Sequence, residues 1–157
     1  MKKWILALVV ASVPLGFIAG LARGQSGGDA LEMRAQRINS LANRVSVQQS
    51  MRVVASQTGL APDRLQSLRT QFPQSGPAGL TIASTLATNT RKSPEQFLNS
   101  RSNGRSWGEI ARNNNVPVST INVQLDRLER GLNSLTATGR PQTQPPKFIT
   151  PITPGGR

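Results

Sequence analysis

The chain has no cysteine, no histidine and no tyrosine. Without cysteine there is no disulfide, no thiol nucleophile and no lipobox, so a lipid-modified N-terminus is excluded. Without histidine, the Ser-His-Asp arrangement and the commonest transition-metal ligand are missing. Four phenylalanines and two tryptophans are the only aromatics, so a core has to be assembled from Leu, Ile, Val and Ala. Acids are scarce too, with 7 Asp and Glu against 19 Lys and Arg, a formal net charge of +12. Helix ends account for most of the acids. Asp29, Glu32, Glu95 and Glu109 fall in first turns, where they complement the helix dipole. Asp126 stands four residues before Arg130 as a helix-surface pair, with Glu129 beside it. These positions point away from a two-carboxylate hydrolase, and we expect no enzymatic activity, no cofactor and no metal site.

What is present begins at the N-terminus. Lys2 and Lys3 precede an uncharged run from Trp4 to Ala22, whose segment Ile5 to Val13 is a compact apolar core. Ala22 and Gly24 supply small residues at the outer and inner places of a signal-peptidase site, with Gln25 as the new first residue. The run of 19 residues is close to the ~20 that cross a bilayer, so a retained inner-membrane anchor is the alternative. Pro14, Gly16 and Gly20 favour cleavage. The expected address is periplasmic or secreted, or, if anchored, with the domain outside the cytoplasm. Removing Lys2, Lys3 and Arg23 leaves 16 basic residues, 14 of them Arg, against 7 acids, a mature charge of +9. That balance suits an anionic envelope component, with a protein partner as the alternative. Nucleic acid fits export less well, and membrane contact through the N-terminal segment requires that it be retained.

Helical signals organise the rest. Residues 1–24 read as the signal peptide or anchor, 25–28 as a flexible lead, 29–136 as a helical domain and 137–157 as a disordered tail rich in Pro and Gly. Asp29 with Glu32 forms a capping-box pattern that opens one long helix through Leu31, Ala35, Ile38, Leu41, Ala42 and Val45, with Gly59 as its stop. Shorter helices follow at Pro62, Ala78, Pro94, Ser106 and Val116. The last carries Ile121, Leu125, Leu128 and Leu132 on one face. No segment alternates at period two, so the expected class is all-α. Ala55–Arg69 also aligns without gaps on Ala87–Arg101, matching Ala, Thr, Pro and Arg, a weak internal repeat.

Two resemblances attach to the same stretch. Ser102-Asn-Gly-Arg-Ser-Trp-Gly-Glu-Ile-Ala111 resembles the Gly-Trp-Gly-x-Ile-Ala-type segment of small exported bacterial proteins of unknown function, with Ser106 in place of the first glycine. That likeness implies an envelope address and no activity. Residues 107–125 resemble a bacterial helix-turn-helix, with Ile110 and Ala111 packed, Asn115 in the turn, and Val116 and Ile121 apolar after it. The resemblance implies that Ser119, Thr120, Asn122 and Arg127 face a major groove. Packing alone explains the same pattern, because two short helices joined by a tight turn need small and apolar residues in those places. Arg101, Arg105 and Arg112 flank Trp107, which makes these four residues a candidate binding surface. The competing reading is a core tryptophan among arginine stems. On that reading Trp107, Ile110, Ala111, Val116, Ile121 and Leu125 form one cluster, completed by the helix that opens at Pro94.

Overall fold

The computed structural model describes residues 25–138, and the signal segment and tail expected at either end lie outside them. Seven helices and no strand occur among the described residues: α1 (Gln25–Ala42), α2 (Val47–Thr58), α3 (Pro62–Gln71), α4 (Gly76–Thr90), α5 (Pro94–Ser102), α6 (Trp107–Asn113) and α7 (Val118–Thr138). The all-α class holds. None of these helices is long and apolar enough to cross a membrane.

Several boundaries differ from the sequence reading. The stretch 25–28, expected as a flexible lead, is the first turn of α1, so Asp29 is not its N-cap. The long helix from Asp29 to Gly59 is two helices. Ser46 breaks it, because its hydroxyl accepts from the Gln49 N–H at 3.2 Å while the Gln49 side chain accepts from the Ser46 N–H at 3.1 Å. This capping box starts a new helix where the hydrophobic period blurs. Gly59 does end α2, at φ 69°. At the other end, residues 137 and 138 belong to α7 rather than to a tail.

Helix α4 occupies the middle of the bundle and packs on α1, α2, α3, α5 and α7. Residues 78–86 are all buried, which requires a helix without an outward polar face. Its hydroxyls are satisfied internally: Thr81, Ser84 and Thr85 donate to the carbonyls of Pro77, Leu80 and Thr81 at 3.0, 2.7 and 2.8 Å. Leu31, Ile38, Val54, Leu65, Leu68, Phe97, Trp107, Ile121, Leu125, Leu128 and Leu132 close around it.

The repeat halves take the same course. Gly59 and Arg91, aligned positions, end α2 and α4 with φ of 69° and 58°. Pro62 and Pro94 then open α3 and α5 at their first positions, and Leu65 and Phe97 are both buried.

Candidate functional site

Trp107 is the first residue of α6, and Ser106 precedes it as N-cap in a capping box with Glu109. The Ser106 N–H and hydroxyl donate to Glu109 Oε2 at 2.9 and 3.2 Å. Those bonds, with Arg112 and Arg105 nearby, hold the exposed Glu109 carboxyl below its ordinary value. The indole is 3% exposed, and Gly79 of α4 has no side chain where one would meet it: a Cβ there would lie 3.4 Å from Trp107 Cζ2. Trp107, Ile110, Ala111, Val116, Ile121 and Leu125 are all in the core. The element that chiefly seals α6 is α1, however, not α5.

The seal is polar as well as apolar. Glu32 of α1 accepts from the Trp107 N–H at 2.7 Å through Oε1 and from Arg101 Nη2 at 2.9 Å through Oε2. The carboxylate expected to cap its own helix caps α6 instead. Two turns further on, Asn39 Oδ1 accepts from the Ala78 N–H at 2.9 Å and so caps α4. One face of α1 therefore satisfies one open amide donor at each of two part-buried helix starts. Gly76, at φ 59°, admits Asn39; a Cβ there would come within 2.6 Å of Asn39 Oδ1. Sequence reasoning missed this role, although Glu32, Gln36 and Asn39 stand at i, i+4 and i+7, a polar stripe beside the apolar one.

Between the capped ends lies an open pocket of about 470 Å³, lined by Glu32, Gln36, Asn39, Gln74, Arg101 and Trp107 among others. Its amides can donate and accept hydrogen bonds to a neutral polar molecule, while Glu32 is its one carboxylate and is already engaged. The structure brings Arg101 and Trp107 together in this lining, and Arg105 joins them through its backbone carbonyl, which accepts from Arg101 Nη1 at 3.1 Å. Arg112 is exposed on α6, near Glu109.

The four residues aligned with groove contacts do not share one face. Ser119 and Arg127 are exposed and Thr120 is half-buried. Asn122 is turned toward α1, where its Oδ1 accepts from Arg34 Nη1 at 3.1 Å. Asn115 does adopt the left-handed turn conformation, φ 55°. Asp126 pairs with Arg34 of α1 rather than with Arg130, and Glu129 lies 3.4 Å from Arg37 and 3.6 Å from Arg34. Of the proposed cleavage pair, Gln25 is the first residue of α1 and Gly24 lies outside the described residues. No cluster of carboxylates that could hold a metal occurs among the described residues.

The described part of the protein is thus an all-helical bundle in which Glu32, Glu95, Glu109, Asp126 and Glu129 are engaged in caps and helix-to-helix pairs. The chain matches no protein-family model, no curated protein and no solved structure.

Proposed function

We propose that the chain is an exported, non-catalytic helical protein of the bacterial envelope that binds an anionic partner through its arginine surface. The distribution of charge carries this reading. Glu32, Glu95, Asp126 and Glu129 each pair with an arginine of another helix, Glu109 is closed into a capping box, and Asp63 is exposed in the first turn of α3. Arg44, Arg52, Arg91, Arg105, Arg127 and Arg130 are exposed and have no acid within ion-pair distance among the described residues. Such a surface attracts anions through long-range field as well as contact. The non-catalytic part rests on the missing His, Cys and Tyr, and on a pocket with a single, engaged carboxylate where glycoside hydrolysis uses two. The test is retention of the chain from Gln25 onward, which contains every described helix, on immobilised heparin. Retention that falls as salt rises supports the reading, and passage at low salt overturns it.

A membrane-anchored helix-turn-helix protein that binds DNA is the second reading, favoured by the left-handed Asn115 between α6 and α7. Asn122, held by Arg34, weighs against it. Under this reading duplex DNA binds with sequence preference and Arg127→Ala weakens it. Binding without preference leaves electrostatics alone.

A further inference from the structure

We propose that the outer face of the α1–α7 layer is a docking surface for a membrane that carries anionic headgroups. The inference rests on the anionic-partner reading and gives it a place and a partner.

Helix α7 sorts its charges by direction. Ile121, Leu125, Leu128 and Leu132 point into the core. Asp126 and Glu129 lie round the helix toward α1, where Arg34 and Arg37 hold them. Ser119, Val123, Arg127 and Arg130 form the remaining, exposed stripe at helical spacing. Two cations stand in that stripe, and Asp126 at its edge, with its side chain 49% exposed, is neutralised by Arg34. Helix α1 meets α7 through the arginine–carboxylate seam and turns Leu31, Ala35, Ile38 and Ala42 inward. Its opposite side, with exposed Met33, therefore looks outward in the same direction.

Met33 is 65% exposed and Val123 49%, two of the three large apolar side chains left in solvent among the described residues. Apolar tips set among arginines suit an interface with lipid. Guanidinium groups pair with phosphates while the apolar groups reach the acyl boundary. A soluble polyanion would use the arginines and leave Met33 and Val123 without a role. Charge complementarity and exposed apolar groups on one face together select a lipid surface.

The test is co-sedimentation of the chain from Gln25 onward with phosphatidylcholine vesicles, with and without phosphatidylglycerol, beside heparin retention. The parent should sediment only with the anionic vesicles. Arg127→Ala with Arg130→Ala should weaken that binding about 25-fold, at roughly fivefold per arginine. Met33→Ser with Val123→Ser should weaken it by about tenfold and leave heparin retention unchanged. Arg64→Ala with Arg69→Ala, the same charge change on α3, which packs on α2 and α4 and not in the α1–α7 layer, should stay within about twofold. Equal losses from both arginine pairs would overturn the placement. Vesicle binding indifferent to Met33 and Val123 would overturn the lipid partner. Heparin retention without vesicle binding would sink this proposal and spare the broader reading, whereas neither kind of binding would sink both.

Discussion

Glu32→Ala should damage a helix that lies 75 residues away in sequence. The substitution strips the Trp107 N–H of its 2.7 Å acceptor and leaves Arg101 without its 2.9 Å partner. A backbone donor left unpaired in a mostly buried place costs about 1–3 kcal/mol. The ion pair, partly open to solvent at side-chain exposures of 36% and 18%, adds about 0.5 kcal/mol after screening. The total of roughly 2–3 kcal/mol should lower Tm by about 10 °C in a domain of this size. Glu32→Gln retains an acceptor of the same shape and should cost about 1 kcal/mol. Thermal melts of both variants, and of Arg101→Ala alone and combined, give a double-mutant cycle. Coupling of at least about 0.5 kcal/mol between Glu32 and Arg101 is expected. An additive cycle, with Glu32→Ala melting within about 2 °C of the parent, would refute the cross-helix cap. Glu32 would then be an ordinary first-turn acid worth a few tenths of a kcal/mol.

Trp107→Ala should cost ~3–5 kcal/mol and leave a partly unfolded chain in urea melts, since the indole is buried against Gly79. Gly76→Ala should cost more than Gly59→Ala although both have positive φ, because a Cβ on Gly59 meets nothing and one on Gly76 strikes Asn39. The expected losses are about 1 kcal/mol at Gly59 and about 3 at Gly76, read from Cm shifts. Glu109 has its pKa lowered in the folded state, so its contribution is complete above the ordinary 4.5 and is lost as pH falls through the lower folded value. Glu109→Gln keeps the capping geometry and should therefore lose less stability than the parent between pH 4.5 and the onset of acid unfolding.

Local signals were legible wherever a residue acts on its own helix. Ser106 with Glu109, Pro62, Pro94 and Gly59 each begin or end a helix where their chemistry requires it, and the apolar period of α7 marks its buried face. What failed to show was commitment between helices. Glu32 has the spacing of a capping-box residue but answers to Trp107 and Arg101, and Asp126 has the spacing of a partner for Arg130 but answers to Arg34. Both competing partners lie far along the chain, and no local pattern ranks them. The Ser46 break was visible only as a blur, because Val45, Val53 and Val54 keep the helical rhythm across it. Of the candidate surface, the place of Arg101 beside Trp107 was legible and the pocket was not, since α1 and the loop at Gln74 complete it.

Everything proposed about partners depends on the chain leaving the cytoplasm, and one determination bears on that most directly. The tagged protein should be recovered from the periplasm or medium of fractionated cells and its N-terminal residues sequenced. The expected result is a chain that begins at Gln25, or, if the segment is retained as an anchor, an intact N-terminus in the membrane fraction with the domain open to external protease. An intact N-terminus on soluble protein in the cytosol would contradict it.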